Sequence, residues 1–360
     1  MRFALSEDQA MLQDSLAKAL AALSPLERVR AFAGDLKDRG EDVWQGLSEF
    51  GLAGLAVPEE FGGQGLGLLE AALASEALGA AVAPVPFMGV VLAPLALTRG
   101  GSAAQQADWL PRLASGEVTA AVAMSEPVAG ARDDAGVTAL GGKLAGKALF
   151  VPGGMAAGLI LVADRTGGLH LVRGDAAGLG RSLMPGIDET RRLAELTFAE
   201  TPAEPLGNGR DLLDRLRDAA WVLLAADTLG AAQTMLDKAV AYAKERKQFG
   251  RTIGSFQAVK HLCAEMAAEL EPARALVWYA AYAFDHAPDE AALMAAHAKA
   301  HTSEIGRFIA RTATEVHGGI GMTDLLGLHY WFKRIGLNRQ LLGGPERVRE
   351  IAARLQGLAA

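Results

Sequence analysis

The chain has 360 residues, 51% hydrophobic content, 21% charged residues and a formal charge of −7. Its length exceeds what one growing core accommodates and predicts two or three packed units, while its acidic balance argues against a sequence-independent grip on nucleic acid, which needs a basic face. Any anionic ligand must therefore meet local cations, and the single cysteine, Cys263, excludes a disulfide framework or a cysteine-based metal site.

The stretch from Met1 to Asp8 carries acids and lacks the apolar run of a signal peptide. The alanine-rich segments further on are broken by charges or glycine, so a soluble, cytoplasmic protein with no membrane span is expected. Residues 6–115 read as helical. Ser6 can cap a helix starting at Glu7, and Leu12, Leu16, Ala19, Leu20 and Leu23 recur at helical spacing before Pro25. A second helix surrounds Trp44, Leu47 and Phe50. The loop 57–67 then leads into a helix through Glu70 and Glu76. Without a βαβ frame, its glycines read as turn positions needing positive φ, not as a dinucleotide fingerprint.

From about residue 117 the texture changes to short apolar runs at 118–122, 148–151, 159–162 and 169–172, separated by Gly-Gly, Pro-Gly and Asp-Arg-Thr-Gly-Gly turns. These predict a small antiparallel β domain. Helices return at 211–246, 256–286 and 289–316, each longer than usual and rich in apolar positions, as in a bundle that also packs against other subunits. The expected organisation is a helical domain at 1–116, a β domain at 117–209 and a helical bundle at 210–360. The fold class is mainly α with a central antiparallel β domain.

Residues 242–257 end a long helix in Lys244, Arg246, Lys247 and Arg251 and then turn on Gly250 and Gly254. Arg246 offers a planar fork suited to phosphate, although such cations also complement a helix carboxy terminus. Some sixty residues later, His317-Gly318-Gly319-Ile320-Gly321 permits close backbone approach to a ligand. With the segment 44–67, with Ser125-Glu126-Pro127 and with the order helical, β, helical, these motifs resemble the acyl-CoA dehydrogenase family over nearly the whole chain.

The resemblance implies that family's helical, β-barrel-like and four-helix-bundle layout, with FAD at a subunit interface. Arg246 and Gln248 would meet the pyrophosphate, Phe249 would pack by the adenine and Gln257 would hydrogen-bond nearby. Gly318, Gly319 and Gly321 would let the backbone approach a flavin seated mainly in the neighbouring subunit, and Glu315 stands where the family commonly has glutamine. On the ring side, the family's Thr-Glu-Pro-Gly-Ala-Gly-Ser run reads Ser125-Glu126-Pro127-Val128-Ala129-Gly130-Ala131 here, and its Trp-Ile-Thr is replaced around Leu149-Phe150-Val151.

The family removes the α-proton of the thioester with a glutamate while hydride passes to flavin. Its two positions for that base fall here at Leu342 and near Ala220, and neither side chain can take a proton. Asp227, seven residues beyond Ala220, shares its helical face roughly 10 Å along and is the remaining candidate base, against a buried structural aspartate. Asp324 reads as a helix cap. His297 and His301, four apart on a helix, lack a third metal ligand, and Ser125 has no nucleophile elbow around it.

The expected function is that of a subunit of an FAD-dependent acyl-CoA dehydrogenase, in lipid or steroid catabolism. It would supply the adenine side of the flavin site in a heterotetramer. A homologous subunit would supply the base and the ring pocket, and an electron-transfer flavoprotein or similar acceptor would take the electrons. The alternatives are an active homotetramer using Asp227, or a non-catalytic relative that binds CoA esters or scaffolds another protein.

Overall fold

The computed structural model describes residues 4–359, so Met1, Arg2 and Phe3 of the amino-terminal stretch lie outside the described residues. Six helices come first: α1 (Glu7–Leu23), α2 (Leu26–Gly34), α3 (Glu41–Glu49), α4 (Leu68–Ala80), α5 (Phe87–Gly100) and α6 (Ala103–Ala114). Ser6 caps α1 in a reciprocal pair, its Oγ accepting from the Gln9 N–H at 3.1 Å while Gln9 Oε1 accepts from the Ser6 N–H at 2.9 Å. In the loop 57–67, Gly62 and Gly65 take the positive φ that the turn reading requires.

The middle of the chain forms β1 (Ala120–Ala123), a short helix α7 (Ser125–Ala129), β2 (Gly136–Leu140), β3 (Lys143–Pro152), β4 (Leu159–Ala163), β5 (Leu169–Arg173), β6 (Leu179–Met184), β7 (Leu193–Pro202) and β8 (Glu204–Pro205). They make two four-stranded sheets, ordered β1-β4-β5-β8 and β2-β3-β7-β6. Apolar residues of both, among them Ala121, Val162, Leu144, Leu196 and Phe198, form a small core of their own. Two expectations need correction. The β1–β4 pair is parallel, with Ala120 opposite Leu159, because the chain leaves β1 for the other sheet and returns only at β4, a crossover of the length parallel pairing needs. The two sheets also remain separate instead of closing into a barrel.

The carboxy-terminal part holds α8 (Gly209–Glu245), a two-stranded hairpin of β9 (Lys247–Gln248) and β10 (Arg251–Thr252), α9 (Gln257–His286), α10 (Pro288–His317), α11 (Leu328–Gln340) and α12 (Pro345–Leu355). Among the described residues α8 is the one helix long and apolar enough to cross a membrane, and 89% of its apolar window is buried inside the protein, as in a core helix. Helices α4 and α8 approach closely through Gly79 and Gly230. A Cβ on Gly230 would strike the Glu76 carbonyl, and one on Gly79 the Asp227 carbonyl. The buried Glu76 carboxylate is paired with Arg274 of α9.

Candidate functional site

The two glycine-and-cation motifs meet at the ends of α8 and α10. Tyr242 of α8 stacks on His317 of α10 with ring centroids 4.7 Å apart, and His317 Nδ1 lies 2.7 Å from the Ala313 carbonyl oxygen. Arg246 terminates α8, and the β9–β10 hairpin turns on Phe249 and Gly250, whose φ values are +53° and +78°. Phe249 is 93% exposed at the tip of this hairpin and lies edge-on to Phe256, ring centroids 6.2 Å apart. Gln248, Gln257 and Glu315 are exposed on the same structure. Lys244, Arg246, Lys247 and Arg251 make no ion pair among the described residues. Gly318 has φ +62°, and neither it nor Gly319 has an atom within 4 Å of where a Cβ would sit. The result is an open, cationic shelf with backbone amides beside it. It suits a phosphate-bearing ligand that extends from another surface.

A second group of segments converges elsewhere. The Glu126 carboxylate accepts the Leu149 N–H at 2.7 Å, so the run that begins at Ser125 is tied to the bulged strand β3. Arg347 of α12 donates from Nε to the Val128 carbonyl at 3.0 Å. Trp221 Nε1 donates to the Leu342 carbonyl at 2.9 Å. This bond ties α8, one residue beyond Ala220, to the segment holding Leu342, and both Ala220 and Leu342 are buried, as are Leu149, Val151 and Ser125. Both positions expected for the base thus hold buried apolar side chains. Two carboxyls lie close in sequence. Burial pushes the Glu126 carboxyl up against the opposing Leu149 bond. Asp218 is pushed up to about 6, by burial first and in spite of its Arg217 partner at 2.8 Å. Asp218 was not singled out from the sequence, because only its burial sets it apart.

Asp227, the candidate base, is held by three groups: Arg191 at 2.6 Å, Arg334 at 3.2 Å and Asn338 at 2.6 Å. Burial alone would raise its pKa, but the two guanidinium charges and the hydrogen bonds outweigh that and hold the carboxyl below its usual range. A carboxylate so committed is a poor proton acceptor, so the base reading is corrected to a structural one. Arg334 joins it to Asp188 at 2.8 Å and to Thr190 Oγ1 at 2.6 Å. Asp324 also departs from expectation. It lies in the 3₁₀ turn Asp324–Leu326, facing Arg30 at 3.7 Å and His329 at 3.6 Å, while α11 begins after Gly327 and takes no side-chain cap. No cluster of His, Cys, Asp or Glu able to hold a metal, including one around His297 and His301, exists among the described residues.

Lys299 of α10 closes the end of α11, just before residues 341–344. It is 1% exposed and donates from Nζ to the carbonyls of Asn338 at 2.5 Å and Arg339 at 3.1 Å. Burial, then the Arg339 charge, lowers its pKa to about 7. The unfolded value is about 10.4, so between those pH values the unfolded chain binds more protons and stability rises with pH. Below pH 7 the full cost of burying the ammonium remains. Lys299→Met is expected to flatten that rise in denaturant midpoints measured from pH 7 to 10; an unchanged slope would show that Lys299 does not set it.

Residues 6–117 match the model for "Acyl-CoA dehydrogenase, N-terminal domain" and residues 215–356 that for "Acyl-CoA dehydrogenase, C-terminal domain". The chain belongs to the acyl-CoA dehydrogenase family. It is 33% identical over 351 residues to Acyl-CoA dehydrogenase IpdE2 of Mycolicibacterium smegmatis, covering 97% of this chain and 99% of the relative. Among solved structures, a variant of the Tcur3481-Tcur3483 steroid ACAD is 32% identical with a TM-score of 0.89 over 98% of both chains. The ChsE4-ChsE5 complex from Mycobacterium tuberculosis is 27% identical with a TM-score of 0.92 over 100% of both. An FAD complex of PigA is 25% identical, with a TM-score of 0.86 over 99% of this chain and 100% of that one. The family's members are FAD-dependent oxidoreductases acting on the CH–CH bond of acyl-CoA thioesters.

The residues present fit FAD unequally. The open glycines and unpaired cations of the α8 and α10 ends suit the pyrophosphate and adenine. The buried, packed residues around Leu149, Val151, Trp221 and Leu342 offer no comparable opening for a ring.

Proposed function

We propose that this chain is the base-less subunit of a hetero-oligomeric acyl-CoA dehydrogenase. The observation that carries this reading is that Ala220 and Leu342, the two positions for the base, are both aliphatic and buried. A base cannot act from either position. Arg246, Gln248 and Phe249 with the Gly318–Gly319 backbone would hold the adenine half of a flavin whose ring sits in a homologous partner subunit. Gln257, Glu315 and Ser125 belong to the same assignment, the first two beside the adenine half and Ser125 as what remains of the ring-side run. Bound FAD supplies the acceptor for the β-hydride.

The Tcur3481-Tcur3483 and ChsE4-ChsE5 pairs among the structural relatives support a partnered arrangement, and the first, a steroid ACAD, favours a bulky acyl-CoA. A related structure concerning an electron-transferring flavoprotein of Acidaminococcus fermentans favours that class of acceptor. The protein is read as cytoplasmic and tetrameric when assembled.

The test is an acceptor-reduction assay on the purified chain alone and on the chain with a co-expressed homologous subunit. Turnover is expected only in the second sample. A homomeric enzyme is the second reading, favoured by one observation, the buried carboxyl of Asp218 two residues before Ala220, which burial pushes up. Turnover by the chain alone that disappears in Asp218→Asn would establish it.

A further inference from the structure

The glycine turn at the end of α10 runs on through two 3₁₀ turns, Gly318–Met322 and Asp324–Leu326, to Gly327, where α11 begins. Its near end is anchored by His317, which stacks on Tyr242 of α8 and sets Nδ1 2.7 Å from the Ala313 carbonyl oxygen. Its far end is anchored by α2. Arg30 donates from one terminal nitrogen to the carbonyls of Asp324 at 2.5 Å and Leu325 at 3.1 Å. Gly327 has φ +63°, and a Cβ there would lie 2.9 Å from the side chain of Leu26, one helical turn before Arg30. The backbone of α2 and the end of the turn are thus in close approach, and the guanidinium closes the contact.

Between the two anchors much of the segment faces solvent. Residues 318, 319 and 322–325 are exposed, and Met322 and Leu325 are 80% and 75% accessible. The bonds inside it are local: the Ile320 carbonyl accepts from the Thr323 N–H at 3.1 Å and from Thr323 Oγ1 at 2.7 Å, and the Asp324 carbonyl accepts from the Gly327 N–H at 3.0 Å. Such bonds close a turn without fixing its place against the rest of the fold. Arg30 does that from a part of the chain outside both sequence motifs. Its Nε is also 3.7 Å from the Asp324 carboxylate, but that group is 68% exposed, and an ion pair in water contributes little. The two carbonyl bonds, with a charged donor, are the stronger tie.

We infer that Arg30 is a positioning residue for the adenine half of the flavin: it fixes the far end of the turn so that the Gly318–Gly319 backbone keeps the shape that accepts the ligand. The inference rests on the flavin assignment proposed above and adds to it a residue of α2. A turn free to take several shapes binds with an affinity reduced by the fraction in the competent one, and Arg30 raises that fraction.

Two substitutions test it. Arg30→Met keeps the length of the side chain and removes its donors, whereas Arg30→Lys keeps a charge and a donor. In the assembled enzyme Arg30→Met is expected to weaken FAD binding roughly tenfold with kcat at saturating FAD unchanged, and Arg30→Lys to recover most of the loss. In the full chain alone, hydrogen exchange read by mass spectrometry is expected to quicken in Arg30→Met over residues 318–327 and not over the buried middle of α8. Unchanged FAD affinity in Arg30→Met, unchanged exchange over 318–327, or exchange that rises equally in α8 would overturn the inference. Arg246→Ala measured beside it separates the two readings. Lost affinity there with none lost in Arg30→Met would overturn this inference and leave the flavin assignment standing, while unchanged affinity in both would overturn both.

Discussion

Asp227→Asn is expected to lower the stability of the chain by about 3–5 kcal/mol, because it strands two buried guanidinium groups that share this carboxylate. Arg334 is 1% exposed, and Arg191 meets Asp227 at 2.6 Å with side-chain exposure of only 16% and 4%. Without the charge on Asp227, Asp188 alone faces Arg334, and an amide nitrogen would be set against donors. A loss of this size is a large fraction of a typical folding free energy. Urea denaturation of the variant checks it, read alongside turnover of the assembled enzyme. A large fall in midpoint with turnover retained below the transition is the expected result. Unchanged stability with abolished turnover would return Asp227 to the role of base.

Arg246→Ala is expected to act in the opposite way, leaving the fold intact and releasing the cofactor. The side chain is exposed and has no ion pair among the described residues, so its removal falls in the range of neutral surface substitutions. A charge-assisted contact to phosphate contributes about 1.5–3 kcal/mol, which corresponds to a roughly ten- to hundredfold loss of FAD affinity in the assembled enzyme. Flavin dissociation constants and melting temperatures of the assembled wild type and variant check this together. Unaltered affinity would mean that the shelf at the end of α8 serves something other than the pyrophosphate.

The helices were legible in the sequence because their signals are local. Ser6 with Gln9 marks the start of α1, and the long apolar periodicities mark α8, α9 and α10 to within two residues. The strand β7 was not. It alternates Glu195 and Thr197 with buried Leu196 and Phe198, and it becomes a strand by pairing on both sides with β3 and β6. Its place is set by non-local contacts. The parallel β1–β4 pair was hidden for the same reason. At the site, residue spacing exposed the hairpin at Phe249 and the turn at Gly318, but it could not show that Tyr242 and His317 stack to bring them together. Nor could it show that Asp227 is enclosed, since Arg191, Arg334 and Asn338 reach it from distant parts of the chain.

The central claim is that this chain completes a flavin site it does not itself contain. Co-expression with a homologous acyl-CoA dehydrogenase subunit, followed by native mass measurement and flavin quantification on the same sample, tests it most directly. The account predicts a hetero-oligomer with fewer flavins than chains, most simply two of each subunit around two FAD molecules. A stable homotetramer carrying one FAD per chain would contradict it, and would require the packed surface of Leu149, Val151 and Leu342 to open around a flavin ring.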